Sequence, residues 1–468
     1  MMREKAPREV KGGWVVTMAV LLAAMPTSLR AQTKVGPDFS LGVTQVGQVR
    51  RVALPNGHIA WPSGPGYPYQ RQLYKGNFGF FQYVDFVLGI PEGPWTPRVF
   101  DQEAGDTVSL GPAVAEGISR YVHEGIQGPD WGPCLGSRGM YFSGELLAGD
   151  LYPDSPEPEV PIMATSTLPE TWPYDLYGFR RWPGAWAKDP ETGKPLSGVF
   201  VSDQDLFFCF TDKPYANRTS LGAQSYPIGA KVECQVHAFA DSYAEDVTFY
   251  ELDLINTAVH HYRGVYAGVF CEVRSSKATW VGDLVGYIRH GDDGMGGQSC
   301  RYDMGYWYKR PELGGPYMGI ELLETPLAPP GDGIDNDLDG EVDEPEGEKA
   351  GMSGWHLCQA EAEDATGRWI SYLERKDRDL WQYKVLSGDT SGLPADLKNH
   401  FFIPDPNGVL DPHFDSPATI AARHPEYLAP ATFLVSTGPF DWRAGDTLRL
   451  VFALVMGDDL EDLKRNAR

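Results

Sequence analysis

The stretch GDGIDNDLDGEVDEPEGEK, residues 331 to 349, concentrates nine carboxylates and one lysine in nineteen residues. Its acidic residues follow the calcium-loop spacing DxDxDG, five further residues and a glutamate. Calcium takes six to eight oxygen ligands, and alternate side chains of a tight loop point toward one centre while glycine supplies the turn. The predicted ligands are Asp335, Asp337, Asp339, the Glu341 carbonyl, Asp343 (directly or through water) and Glu346.

The flanks of this acidic loop differ from those of a helix-loop-helix hand. Pro329 and Pro330 precede the loop and Pro345 lies near its end, so neither flank favours a helix. Either Asp332 or Glu344 is therefore a possible substitute for the last ligand, Glu346. The alternative to a calcium site is an acidic linker without an ion, but its clustered carboxylates would repel one another.

Motifs that would indicate catalysis are absent from the sequence. It contains no HExxH, GxSxG, GxxxxGK[ST] or CxxC pattern, and SGDTSG at 387 to 392 resembles a nucleophile loop only superficially. The pairs Asp203/Asp205 and Glu251/Asp253 have the spacing of ~7 Å that i and i+2 residues of a strand allow, which lies within the glycosidase range. Acid-rich β-proteins contain many such pairs. We therefore expect a structural calcium ion and favour a protein that is not an enzyme.

A second possible binding feature is the Pro- and Trp-rich segment 152–198. We interpret it as an ordered crossing loop. Trp172, Trp182 and Trp186 either pack onto a sheet or form a platform for carbohydrate, and packing is the more common role of such residues.

Most of the chain has the pattern of antiparallel strands. From Gly79 to Ser275, short runs rich in Val, Phe and Tyr alternate with Gly, Pro, Asp and Asn. The successive segments AKVECQVHAFA, DVTFYELDLIN and GVYAGVFCEVR predict a meander within a sandwich. Cys234 and Cys271 fall on the apolar faces of two of these segments, where buried thiols and disulfides are both plausible.

The C-terminal part has a mixed pattern. Helical spacing between about Ala360 and Leu386 predicts a helix there. The end of the chain predicts a hairpin from FLVSTGPFD and DTLRLVFALVM, then a helix capped by Asp458 or Asp459.

Composition and charge limit the partners. The 468 residues carry a formal charge of -24, which disfavours nucleic acid and anionic membranes. Residues 1–31 combine a basic start, an apolar run of about a dozen residues and a tolerable cleavage site, so they predict a signal peptide. No later segment is apolar enough to span a membrane. An exported chain with six cysteines is able to form disulfides, and Cys134 and Cys300, in glycine-rich loops, are the better candidates.

The predicted organisation is mainly β: a signal peptide at 1–31, an antiparallel β-sandwich with long loops at 32–328, the acidic calcium loop at 329–350, and an α+β portion at 351–468 that ends in a helix. The predicted location is outside the cytoplasm, at the cell surface, in the periplasm or in the medium.

Several segments together resemble large uncharacterised secreted proteins of Bacteroidota-like bacteria. They are PETWPYDLYGF, GVFVSDQDLFFCFTD, SYAEDVTFYELDLINTA, the DGIDNDLDGEVDE loop and STGPFDWRAGDTLRLVFALVMGDDLEDL, which lie within roughly residues 165 to 468. In those proteins a β-sandwich carries DGIDND-type loops, and the chain often ends in a sorting domain for type IX secretion. The resemblance implies calcium binding at the acidic loop, and it provides no known activity to carry over to this chain. This sequence ends at Arg468 without a sorting domain, so we expect either a fragment or shortened member of this group, or plain periplasmic or extracellular export.

These observations predict a secreted, calcium-stabilised surface or matrix module that acts in adhesion or assembly, with other surface proteins or glycans as partners. The alternative is an extracellular protein that binds or hydrolyses glycans on an aromatic face of the sandwich. Exposure of the three tryptophans would favour the alternative.

Overall fold

The fold is taken from a computed structural model. The described residues are 81–101, 105–109, 111–117, 139–142, 163–172, 175, 177–211, 228–274, 283–288, 303–309, 314–336, 341–344, 347–358, 361–363, 369–371, 378–389, 391, 401–402 and 431–468, with short segments between 42 and 79. The predicted signal peptide, Cys134 and Cys300 lie outside these residues.

Strands make up most of the described chain. They are β1 Gly42–Thr44, β2 Val49–Ala53, β3 His58–Ala60, β4 Leu73–Tyr74, β5 Phe78–Gly79, β6 Phe81–Ile90, β7 Arg98–Asp101, β8 Asp106–Ser109, β9 Ala113–Gly117, β10 Gly139–Phe142, β11 Met163–Thr165, β12 Trp186–Lys188, β13 Pro195–Phe200, β14 Gln204–Thr211, β15 Ala230–Ala238, β16 Val247–Asn256, β17 Tyr262–Arg274, β18 Asp283–Ile288, β19 Asp303–Lys309, β20 Tyr317–Glu324, β21 Gly354–Cys358, β22 Glu361–Glu363, β23 Trp369–Ser371, β24 Phe401–Phe402, β25 Ala431–Trp442 and β26 Thr447–Gly457. Among the described residues the helices are α1 Arg378–Ser387 and α2 Leu460–Asn466, and a 3-10 turn lies at Pro169–Thr171.

Two layers of antiparallel strands form a sandwich, which confirms the predicted fold class. We call the layer β18-β19-β20-β26-β16-β15-β14 sheet I and the layer β9-β6-β17-β25-β21-β24 sheet II. The strand β10 links them, because it pairs antiparallel with β14 and parallel with β9. Small two-stranded ribbons and the four-stranded sheet β1-β2-β4-β5 lie beside this sandwich.

One apolar core fills the space between the two sheets. Inward-facing side chains of both sheets belong to it, among them Phe86, Phe208, Leu252, Val269 and Phe452, all buried. Full burial of each large apolar side chain contributes ~1.5–3 kcal/mol, so this core is the main stabilising element.

The predicted strand faces are confirmed. The apolar residues of β15 (Val232, Cys234, Val236, Ala238) and of β17 (Val265, Ala267, Val269, Cys271) are buried. Cys234 and Cys209 are buried free thiols, and Cys271 is buried as well. These thiols therefore act as small apolar side chains in this fold.

The chain crosses repeatedly between the sheets, and the predicted meander and hairpin are wrong at this point. The strands β15 and β16 pair in sheet I, but β17 lies in sheet II between β6 and β25. Likewise β25 pairs in sheet II and β26 in sheet I, so the two do not form a hairpin. Short connections indicate neighbouring strands in sequence-based reasoning, but in a sandwich they also serve to cross the core.

The strands of the C-terminal portion belong to the same sandwich. The strand β26 lies between β16 and β20, and β25 lies between β17 and β21. Within the described residues, the predicted portions 32–328 and 351–468 thus share one core.

Each outer face carries a helix. The helix α1 covers sheet II, where Gly89 and Gly268 leave room for Leu386. It is shorter than the predicted helix over Ala360 to Leu386, whose first part contains the paired strands β22 and β23. In the described residues no helix has the length and apolarity needed to cross a bilayer.

The C-terminal helix is confirmed. The side chain of Asp459 caps α2 by accepting the backbone N–H of Asp462 at 2.8 Å. Leu463 and Ala467 are buried on the outer face of sheet I, as the spacing predicts.

Beside this helix, Glu321 is a buried carboxyl on β20. Its cross-strand neighbours are Met304 on β19 and Ala453 on β26, both buried. Desolvation, with a smaller contribution from the Asp303 carboxylate, raises the pKa of Glu321 to about 8. Between the pKa values of the unfolded and folded states the folded protein binds more protons, so its stability falls as the pH rises through this window.

We therefore predict that Glu321→Gln stabilises the protein more at pH 8 than at pH 5. The gain at pH 8 is on the order of 2–4 kcal/mol, since one pKa unit corresponds to ~1.4 kcal/mol. Denaturant unfolding at both pH values measures it. Equal gains at the two pH values would contradict the proposed burial of a neutral carboxyl.

Candidate metal centre

The acidic loop connects sheet I to sheet II. It leaves β20 and enters β21, and its two ends are held side by side by a bridge between Leu327 and Lys349. The amide of Ala328 donates to the carbonyl of Glu348 at 2.8 Å, and that of Ala350 donates to the carbonyl of Pro326 at 2.9 Å. The base of the loop is therefore strand-like and fixed.

This base is anchored in the core. Ala350 and Met352 are buried, and Met352 belongs to the main core between the sheets. The amide of Ser353 donates to the carbonyl of Ser436 on β25 at 2.9 Å. The base of the loop thus contacts both the core and sheet II.

Three carboxylates converge inside the loop. Asp332, Asp343 and Glu348 each offer one oxygen, and these oxygens all lie within 4.8 Å of one another. We call this group the acidic triad. Two oxygens that each lie ~2.4 Å from one calcium ion are at most ~4.8 Å apart, so the spacing fits ligands of a single ion.

Backbone amides hold the triad in place. The carboxylate of Asp343 accepts the amides of Gly331 at 2.7 Å and Gly333 at 3.2 Å. Glu348 is buried and accepts the amides of Asn336 and, at 2.9 Å, Asp343. Each carboxylate oxygen accepts more than one hydrogen bond or metal bond, so these contacts orient the ligands and leave lone pairs for an ion.

The backbone of the loop has the conformations that such a nest of amides requires. Gly331 and Gly333 have φ values of 76° and 75°, a region that glycine occupies without strain. Asp343 has a φ of 53°, which aspartate tolerates better than most residues. Gly331, Gly333 and Asp343 therefore supply the positive φ angles that the loop requires.

Electrostatics favour a cation in the triad. Two unit charges ~5 Å apart repel by about 1 kcal/mol in bulk water and about 3 kcal/mol at an effective dielectric constant of 20. Three such pairs exist among the three carboxylates. An all-oxygen donor set of this kind suits calcium better than zinc or other metals that prefer nitrogen and sulfur.

The triad includes part of the predicted ligand set. Asp343 is a predicted ligand, and Asp332 is one of the two predicted substitutes. Asp335 and Glu341 are described but do not belong to the triad. Glu344, the other substitute, is half-buried.

The remaining predicted ligands, Asp337, Asp339 and Glu346, lie outside the described residues, so their roles stay predictions.

Glu348 is the ligand candidate that the motif did not find. It stands two positions after the motif's final glutamate and directly before the Leu327–Lys349 bridge. The spacing of the sequence gives no signal for Glu348, because its burial comes from the pairing of the next residue, Lys349, with Leu327.

The paired carboxylates of the sheet have structural partners. Asp205 is buried and accepts the amides of Val201 at 2.9 Å and Ser202 at 3.0 Å. Arg449 forms a bidentate pair with Asp253 at 2.9 and 3.1 Å and lies 3.7 Å from Glu251. These groups connect strands of sheet I.

His237 on β15 is a buried member of this network. Its Nδ1 atom lies 2.9 Å from Asp205, and its Nε2 atom lies 3.8 Å from Glu251. Asp205 accepts several donors, so Nδ1 carries the proton that it donates. The Nε2 atom is buried and has no hydrogen-bond partner among the described residues. It is therefore shielded from substrates in this conformation.

The SGDTSG segment terminates the helix α1. Lys384 Nζ donates to Asp389 at 3.0 Å and to the Ser391 hydroxyl at 2.9 Å. The hydrogen bonds from Ser391, with a further contribution from Lys384, lower the pKa of Asp389. These contacts of Lys384 hold the turn that follows α1.

The three tryptophans pack onto the outer face of β14. Trp182 is buried against Phe207 and Cys209, while Trp172 and Trp186 are half-buried at the margin. The indole N–H of Trp172 donates to the carbonyl of Thr165 at 2.8 Å. Packing onto a sheet accounts for these rings.

Comparison with known proteins gives no family for this chain. No protein-family model matches it, and no curated protein is significantly similar to it. The resemblance to secreted Bacteroidota-like proteins therefore stays a prediction.

We predict that Glu348→Ala lowers the free energy of unfolding by about 1–3 kcal/mol in millimolar calcium, where a bound cation would offset the repulsion among the three carboxylates. The substitution leaves the amides of Asn336 and Asp343 without their acceptor. Urea unfolding measures the change, with Glu191→Ala, an exposed acidic residue of another loop, as control. A Glu348→Ala protein as stable as the control variant would contradict the assigned role of this carboxylate.

Proposed function

We propose that this protein is a secreted, calcium-binding β-sandwich protein with a structural role at the cell surface or in extracellular assembly or adhesion. The observation that supports it best is the acidic triad at the connection between the two sheets. A calcium ion there would hold the crossing loop closed. Because the base of this loop contributes Met352 to the core, ion binding would stabilise the sandwich.

A structural role for the ion agrees with the surroundings of the triad. The described groups that contact its carboxylates are backbone amides and the Asn336 side chain, which donates to Asp332 at 3.1 Å. Metal-assisted hydrolysis needs an open ligand position beside a substrate site. Because backbone amides hold the carboxylates in place, the site favours an ion with a structural role.

Secretion is supported by the sequence of residues 1–31 and by the strongly acidic composition. Free calcium is abundant outside cells, so a modest affinity suffices for occupancy there. The negative charge also keeps such a protein away from nucleic acid and anionic lipid surfaces. Glycan binding is the second candidate function. The packing of Trp172, Trp182 and Trp186 onto β14 argues against the tryptophan platform that the sequence suggested for it.

The calcium proposal predicts a calcium-dependent gain in stability of the mature chain, residues 32–468. A ligand at a hundred times its Kd adds ~2.7 kcal/mol, which corresponds to a few degrees in Tm for a chain of this length. Thermal melts in chelator and across a calcium series measure it. The double variant Asp332→Asn/Asp343→Asn is expected to lose the gain.

A matched control comes from the same loop. Glu341→Gln makes the same kind of charge change at an exposed side chain. The predicted ligand of Glu341 is its backbone carbonyl, which this substitution leaves in place. The variant should keep the calcium response. A wild-type Tm that millimolar calcium does not raise, together with no heat of binding in calcium titration, would refute the proposal.

A further inference from the structure

A small loop beside the tryptophans presents two aromatic side chains to solvent. Tyr177 is 82% exposed and Phe179 is 63% exposed. Burying a large aromatic ring usually stabilises a protein, and a packed aromatic cluster of Trp172, Trp182 and Phe200 lies nearby in the same segment. Both rings are therefore accessible to a ligand.

Hydrogen bonds hold the backbone of this loop at Asp175, Tyr177 and Phe179. The Asp175 carboxylate accepts the amides of Tyr177 at 3.0 Å and Phe179 at 2.8 Å. The Asp175 amide donates to the carbonyl of Phe179 at 2.7 Å, and Gly178 takes the left-handed turn with a φ of 77°. The backbone positions that carry the two rings are thus held before any ligand arrives, which lowers the backbone entropy lost on binding.

Polar groups border the rings. Arg181 donates to the second carboxylate oxygen of Asp175 at 2.7 Å, and its guanidinium lies 5.9 Å from the centre of the Phe179 ring. Arg180 donates to the carbonyl of Trp172 at 2.7 Å, which ties the loop to the packed cluster. The surface therefore combines flat apolar faces with adjacent hydrogen-bonding groups.

The size of this surface selects the class of ligand. Two aromatic side chains offer ~150–250 Å² each, or about 400 Å² together. A stable protein interface buries roughly 800 Å² per partner, so these rings alone are too small for one. They match one or two sugar rings, whose C–H faces stack on aromatic rings while their hydroxyl groups reach the polar border.

Charge narrows the class further. Residues 163–200 carry four acidic and four basic residues and are neutral as a segment, while the chain has a net charge of -24. Acidic polysaccharides and a second copy of the chain would meet long-range repulsion. A neutral glycan approaches without this penalty.

From these observations we propose that Tyr177 and Phe179 form a stacking site for a neutral polysaccharide. This aromatic loop contains no residue of the acidic triad, so the proposal does not depend on calcium binding.

The test is depletion of the full chain from solution by insoluble cellulose, chitin, mannan and β-1,3-glucan, with polygalacturonate as the acidic comparison. At least one neutral polysaccharide should retain the protein. Tyr177→Ala/Phe179→Ala should weaken retention about tenfold or more, with unchanged Tm. Tyr243→Ala removes a ring that is 76% exposed in another turn and should leave retention unchanged.

Three results would overturn the proposal. The first is no retention by any neutral polysaccharide, and the second is equal retention of the wild type and the double variant. The third is a wild type that no glycan retains but that self-associates with increasing concentration, together with a double variant that does not self-associate. Each binding assay is run in chelator and in calcium. We expect retention with and without calcium. The glycan proposal and the calcium proposal are therefore tested independently, and either of them can fail while the other holds.

Discussion

The connection between β20 and β21 must carry the chain from one sheet of the sandwich to the other. This crossing determines how the acidic loop is built. A connection at the margin of the core needs buried anchors at its base and polar groups at its tip. Ala350 and Met352 supply the anchors. The carboxylates supply the polar tip, and their convergence is a consequence of closing the loop.

Glu348 joins these two requirements in one side chain. It is buried at the base of the loop, yet its carboxylate is directed at backbone amides and at two further acids. A buried carboxylate without compensation is costly, and a group of three adds repulsion. Amide donors compensate part of this cost. A divalent cation would compensate the remainder, which is the physical basis for a clamp between the sheets.

The sequence predicted the fold class and the strand faces well, because period-2 burial is local: the apolar face of β15 containing Cys234 is one example. It did not predict which sheet β17 or β26 joins, since a short turn fits both a hairpin and a crossing. The calcium pattern located the loop and Asp343, whereas Glu348 depended on the pairing of Lys349 with Leu327. Such pairings between distant residues are not visible in spacing.

Hydrogen–deuterium exchange with and without calcium tests the central claim most directly, because it reports the ion and the crossing together. The account predicts that calcium slows amide exchange across residues 325–353. This range includes Ser353, whose amide donates a hydrogen bond to the carbonyl of Ser436 on β25. Slowed exchange restricted to the tip, residues 331–344, would mean an ion that does not couple the sheets. Exchange unchanged throughout 325–353 at millimolar calcium would contradict the claim that this loop is a calcium clamp.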